Sequence, residues 1–202
     1  MALTVQLAPL ADVPDVRYLW DPDTDILSAA VDAPASLADV PLAVREALAG
    51  GAAYDADDAR PRHDGPSADA AVPGVCGAIE VEGTDGSWLS LELVRGRIAS
   101  VQVAVWPTVR RRAALTPPSA PTCAAYAVSR PEAVADRPVA LELSARVAAE
   151  TDGSERVFHF VFGPPRATER ARIARDIVLE VDERRRLAGL WLLNVPPFPH
   201  DT

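Results

Sequence analysis

Asp21-Pro22-Asp23-Thr24-Asp25 sets three carboxylates at alternate positions, with Asp32 at the twelfth place counted from Asp21. Hard cations such as calcium need that oxygen density, and a calcium loop opens in this way. The sixth place, however, holds Ile26 where such a loop needs Gly, and no helices flank it. The stretch therefore reads as an acidic turn between strands Val16–Trp20 and Asp25–Val31, and whether it takes a cation is left open. His63, His159 and His200 are the three histidines from which a metal site or a Ser-His-Asp triad would have to be assembled. His63 falls in an irregular stretch and His200 at the C-terminal end. His159 alternates with Val157 and Val161 in a strand, where an imidazole packs on a sheet face. Glu80, Glu82 and Glu92 offer paired carboxylates on neighbouring strands, although alternation puts acids on any solvated sheet face.

No G-x-S-x-G elbow, H-E-x-x-H pair, G-x-G-x-x-G loop or catalytic cysteine signature occurs in the sequence. All 20 basic residues are Arg, which removes a Walker loop, a pyridoxal Schiff base and a lysine nucleophile. Cys76 and Cys123 lie far apart and form no C-x-x-C pair. Both are expected to be buried small hydrophobes in a reducing compartment. No catalytic, cofactor-binding or metal-binding residues are assigned.

With 202 residues, 49% hydrophobic and 24% charged, the chain has an ordinary globular composition and room for a core. Ala accounts for 37 residues and the aromatics for only 5%, so Val, Leu and Ala must build that core. Nineteen prolines argue against long helices. The net charge of −9 is uneven: residues 1–70 carry 13 Asp or Glu against 4 Arg, while residues 71–202 carry 16 of each. Acidity of this kind disfavours nucleic acid, whose binding relies on basic surface. The triplets Arg110–Arg112 and Arg184–Arg186 fit solvated turns with carboxylates nearby. The first basic residue is Arg17 and no apolar run approaches the ~18 residues of a membrane span. The expected address is cytoplasmic.

The elements that must position these residues are mostly short strands at intervals suited to antiparallel pairing. Apolar residues take every second place from Val139 to Val147, and Asp152-Gly153 turns the chain into Arg156–Phe162, predicting a hairpin. Thr84-Asp85-Gly86-Ser87 joins Val75–Glu82 to Trp88–Val94, and Arg95-Gly96-Arg97 turns into Ile98–Val105. Asp176–Val181 and Leu187–Asn194 make a further pair. Short helices are expected at Pro41–Ala49 and Arg166–Arg175. Residues 50–73 read as a mobile insertion and residues 108–121 as a Pro/Arg linker. A shift of about 89 residues aligns Leu91-Glu92-Leu93 and Arg97-Ile98-Ala99-Ser100 with Leu179-Glu180-Val181 and Arg186-Leu187-Ala188-Gly189. Asp25–Val31 likewise echoes Glu155–Phe162, so an internal repeat is expected.

Trp20-Asp21, Asp25-Ile26-Leu27, the acidic strand Ile177–Glu183 and the closing Arg186-Leu187-Ala188-Gly189-Leu190-Trp191-Leu192-Leu193 together resemble the small bacterial family called domain of unknown function 2283. Trp20 stands where that family usually has Tyr, and Arg185 where its turn usually has Gly. The opening matches in the first repeat and the closing in the second. The resemblance implies a small β-rich fold and supplies no activity, cofactor or catalytic residue.

The expected fold is mainly β: two small antiparallel meander subdomains with one or two short helices. The expected division is an extended arm over 1–15, a first subdomain over 16–107, the linker over 108–121, a second subdomain over 122–195 and a Pro-rich tail over 196–202. The expected function is that of a non-catalytic interaction protein, an accessory or stabilising subunit of a larger assembly in the cytoplasm or on the cytoplasmic side of a membrane complex. Apolar and Pro-rich arms, which stay extended at low entropic cost, motivate this. Two alternatives stand beside it. One is an acidic, antitoxin-like partner of a basic protein; the other is a small-molecule enzyme with a site between the subdomains, using Asp25, Glu80 or His159.

Overall fold

A computed structural model describes residues 4–32, 76–128 and 139–199. The expected helix at Pro41–Ala49, the insertion 50–73, His63 and His200 lie outside these residues. Among these residues fourteen strands form two sheets. The first sheet contains β1 (Thr4–Pro9), β2 (Val16–Asp21), β3 (Ile26–Val31), β4 (Gly77–Gly83), β5 (Trp88–Val94), β6 (Arg97–Val105), β8 (Cys123–Val128) and β9 (Val139–Ala145). The second contains β7 (Val109–Arg111), β10 (Val147–Thr151), β11 (Phe158–Phe162), β12 (Thr168–Ala174), β13 (Ile177–Asp182) and β14 (Leu187–Leu192). No helix of the described residues is long and apolar enough to cross a membrane.

Turn chemistry sets the hairpins. Arg95 and Gly96 both take positive φ, 53° and 77°, which suits the two-residue turn that joins β5 to β6. Asp152 closes the turn between β10 and β11 by accepting the amides of Arg156 (2.8 Å) and Val157 (3.0 Å). Alternation then decides which side chains go inward: Ile79, Val81, Leu89, Leu91 and Leu93 are buried while Glu82, Trp88 and Glu92 are exposed.

The strand order is β1-β8-β6-β5-β4-β9 in the first sheet, with β2 beside β3 and β3 beside β6; in the second it is β12-β13-β14-β11-β10-β7. The two sheets share one apolar core that runs from Val5, Leu27 and Leu91 to Phe160, Leu179 and Leu190. Polar bonds cross between them as well. The Tyr18 hydroxyl donates to the Leu193 carbonyl at 2.9 Å, the Trp20 indole to the Pro196 carbonyl at 2.9 Å, and the Val5 amide to the Arg185 carbonyl at 2.6 Å. Burial pushes the Tyr18 phenol far above its ordinary pKa.

Several expectations change. Arg166–Arg175 holds no helix: Thr168–Ala174 is strand β12, because Ala171 and Ile173 sit on the core side and Arg170 and Arg172 on the other. Ala and Arg favour helix intrinsically, and tertiary burial at period two overrides that preference. The alternating run Val139–Val147 breaks at Arg146. β9 joins the first sheet, parallel to β4, and β10 pairs with β11 in the second. Strand pairing therefore crosses the expected subdomain limits, since β8 and β9 complete the first sheet and β7 runs parallel to β10 in the second. Within the expected arm 1–15, Thr4–Pro9 is paired along its length with β8. In the expected linker 108–121, Leu115 and Ala120 pack over Val178, Trp191 and Leu193, so β13 and β14 are buried on both faces.

Candidate functional site

The residues singled out for chemistry are dispersed. In the Asp21–Asp25 turn, Asp21 spends its carboxylate on the Asp23 amide (3.1 Å) and the Thr24 hydroxyl (2.7 Å), bonds that hold its pKa below the usual range. Strand β3 carries Asp32 to the other end of the hairpin, where it pairs with Arg17 at 3.2 Å. Among the described residues no three His, Cys, Asp or Glu converge to hold a metal. Asp25 sits in a turn and accepts the Trp106 indole through its carbonyl at 3.0 Å. Glu80 lies on the outer face of the first sheet and His159 on the outer face of the second, so the three residues of the enzyme alternative do not meet. Cys76 is exposed, against the expectation of burial, and Cys123 is buried; both are free thiols. Desolvation by burial and the nearby Glu169 charge raise the Cys123 pKa.

Buried acids in the second sheet are matched by donors. Glu180, 5% exposed, accepts Arg170 Nε at 3.0 Å and the Trp191 indole at 3.1 Å, and lies 3.3 Å from His159 Nε2. Burial pushes its carboxyl pKa up, but the bonds from His159, Trp191 and Arg170 win and hold it at about 2. The His159 ring stacks on Trp191 at 3.9 Å. Gly189 makes room for this: a Cβ there would stand 2.8 Å from both Glu180 Oε2 and the Phe160 carbonyl. Next along the strand, Asp182 accepts the amides of Arg184 and Arg186, each at 2.9 Å, and pairs with Arg186 (2.7 Å) and Arg166 (3.2 Å). Across the sheet, Arg112 neutralises Glu150 at 2.9 Å.

The outer face of the first sheet is different. Parallel pairing puts Glu80 directly beside Glu142 on β9, while Glu82 is opposite Trp88, and Glu92 and Glu82 are one step away along the sheet. Neighbouring strands lie only about 4.8 Å apart, so like charges in register repel. Among the described residues none of Glu80, Glu82, Glu92 and Glu142 forms an ion pair; Glu92 accepts the Ser100 hydroxyl at 2.9 Å. Beside them stands Trp88, 41% exposed, with Val105 opposite it at 47%.

No protein-family model and no curated protein matches this chain. What the two faces can do chemically follows from their charges alone. The second sheet's outer face is self-neutralised and partly covered by the 112–121 segment. The first sheet's outer face offers concentrated negative charge and an indole, the groups that attract and then stack upon an Arg or Lys surface. Alternation marked Glu80, Glu82 and Glu92 in the sequence. Glu142 joins them only through a parallel pairing between distant segments, for which no local signal exists.

A cleft of about 390 Å³ is lined by Trp20 and Trp106 near the first sheet, by Val109, Thr151, Ser154, Glu155 and Phe158 of the second, and by Pro196–Phe198. Its polar groups are occupied. Thr151 donates to the Val157 carbonyl at 2.9 Å, Ser154 donates to Asp152, and Glu155 pairs with Arg111.

Proposed function

We propose that this chain is a non-catalytic interaction protein, an accessory subunit that docks a basic partner protein on the outer face of its first sheet. The observation that carries this is the contrast between the sheets. Acids on the second sheet are each supplied with Arg, amide or indole donors, while Glu80, Glu82, Glu92 and Glu142 crowd together with no cation beside them among the described residues. Like charges in register cost the isolated chain stability, and a partner's Arg or Lys residues convert that cost into attraction. Trp88 supplies the aromatic anchor that interfaces favour.

The two sheets are diverged copies of one five-stranded unit, β2–β6 and β10–β14. In both, the first, second, fifth, fourth and third strands stand side by side, all antiparallel. Leu27 is opposite Val103 as Phe158 is opposite Leu192, and Leu91 is opposite Val101 as Leu179 is opposite Leu190. Positive φ recurs at Asp25 and Glu155 and at Arg95 and Arg185, the matching turns. On this account the stretches that resemble domain of unknown function 2283 are the opening hairpin of one copy and the closing hairpin of the other. One copy keeps its outer face sealed and neutral; the other presents its acids.

The test is tagged purification from the source cell at low and at high salt, with mass spectrometry of whatever is retained. A basic protein is expected with the unaltered chain, released by about 0.5 M salt because exposed charge pairs are screened there, and lost with Glu80→Arg/Glu142→Arg. Retention of the same protein by the charge-reversed chain, or its indifference to salt, overturns the proposal.

A further inference from the structure

The outer face of the first sheet is apolar as well as acidic. Of the five exposed large hydrophobic side chains among the described residues, four lie on it: Leu19, 70% exposed, and Trp88, Val94 and Val105, each close to half. Trp88 and Val94 alternate with the buried Leu89, Leu91 and Leu93, and Val105 stands opposite Trp88. Strand pairing carries Leu19 on β2 across Ser28, Gln102 and Ser90 to Glu80 and Glu142 in one row. Between the large side chains lies a floor of small ones, Ser28 and Ala30 on β3, Ser100 on β6 and Ser90 on β5. Gln102 donates to the Ser28 hydroxyl at 3.4 Å and Ser100 to Glu92 at 2.9 Å, so the polar groups of this floor are bonded to one another or to the flanking acid. The result is a trough, with Leu19 on one flank, Glu80, Glu82 and Glu142 on the other, Trp88 and Val105 at one end and Val94 at the far end. Apolar side chains gathered on one solvated face mark a contact surface.

We infer that this trough receives an amphipathic α-helix of the partner, with the helix's apolar stripe on Leu19, Trp88, Val105 and Val94 and its Arg or Lys residues turned toward β4 and β9. The inference rests on the reading of this face as the docking surface and adds the form and chemistry of what docks. β2 and β4 stand four strand spacings apart, about 19 Å, room for a helix about 10–12 Å across with its side chains. Small residues beneath it let its axis approach. From Trp88 to Val94 the strand runs about 20 Å, the length of three to four helical turns. The floor also disfavours a lone extended segment, whose amides and carbonyls would meet side chains already bonded within the chain, whereas a helix satisfies its own backbone. Charge then orients the occupant. Arg97 stands opposite Val94 at the far end, so the helix's cations belong on the β4 flank, beside Glu80, Glu82 and Glu142. Those carboxylates repel an anionic lipid surface, which favours a protein over a membrane as the occupant.

The probe is a fluorescein-labelled helical peptide, Leu-Arg-Gln-Ala-Leu-Arg-Gln-Leu-Arg-Gln-Ala-Leu-Arg-Gln-Leu, followed by anisotropy with the full chain in about 50 mM salt. It is expected to bind at micromolar concentration. The same peptide with Pro at its seventh place, which keeps the charge and breaks the helix, is expected to bind at least tenfold more weakly. Leu19→Ser/Val94→Ser replaces two solvent-facing side chains and is expected to weaken binding about tenfold through lost apolar contact. Glu80→Gln/Glu142→Gln is expected to weaken it about fivefold. Absence of binding at millimolar peptide, or equal binding of the proline peptide, overturns the inference. Weakening by the Glu pair with no effect of Leu19→Ser/Val94→Ser overturns the helix and leaves the acidic face as a docking surface. Sedimentation of the chain with phosphatidylserine-containing vesicles, lost in Leu19→Ser/Val94→Ser, also overturns it, because the apolar patch would then belong to a membrane.

Discussion

Glu180 shows how much a single acid can demand of its surroundings. Its carboxylate lies across a sheet face with 5% exposure, and it stays ionised only because Arg170, Trp191 and His159 all point at it and Gly189 clears the space. Its pKa is held at about 2 in the folded chain against an ordinary 4.5, so the stability it contributes is fully present above about pH 4.5 and is lost as pH falls toward 2. A shift of that size corresponds to about 3 kcal/mol. Urea unfolding of the wild-type chain should therefore show stability declining through that acid window. Glu180→Gln should be less stable at pH 7 and visibly flatter below pH 4.5; an unchanged pH profile would mean the carboxylate is not held as described.

Among the elements, hairpins with turn residues at fixed offsets were legible from local pattern: β4–β5, β5–β6, β10–β11 and β13–β14 all follow an Asp-Gly, Arg-Gly or charged turn. What was not legible has a common cause, in that the deciding contact is distant. β12 is built from good helix formers and becomes a strand because β13 pairs along it. Val139–Val147 alternates without interruption, so nothing local says that Arg146 hands the chain from one sheet to the other. The sheets are then pinned by side chains separated by the length of the chain, chiefly Tyr18, whose hydroxyl reaches the Leu193 carbonyl. Tyr18→Phe leaves that part-buried carbonyl without the bond and is expected to cost about 1 kcal/mol. Thermal melts would register this as a drop of a few degrees, and an unshifted midpoint would remove Tyr18 as a link between the sheets.

For the whole molecule, the charge distribution matters more than the net −9. Composition located the acidity in residues 1–70, yet seven of those 13 acids lie in 33–75, outside the described residues. The crowded acids of the outer face are Glu80, Glu82, Glu92 and Glu142, which strand pairing gathers from two distant segments. Glu80→Gln/Glu142→Gln should accordingly raise the stability of the isolated chain, by about 0.5 kcal/mol from relieved repulsion, while weakening partner capture. Equilibrium unfolding at low salt measures the first effect, and a variant that is less stable than the parent would argue that these acids support the fold.

Carboxyl footprinting of the chain with and without any co-purified partner, read residue by residue by mass spectrometry, reaches the proposed docking face most directly. Protection of Glu80, Glu82 and Glu142 in the complex, with Glu155 and Glu169 labelled as before, is the result this account predicts. Equal labelling of the three in both states, or protection confined to the second sheet, would contradict it.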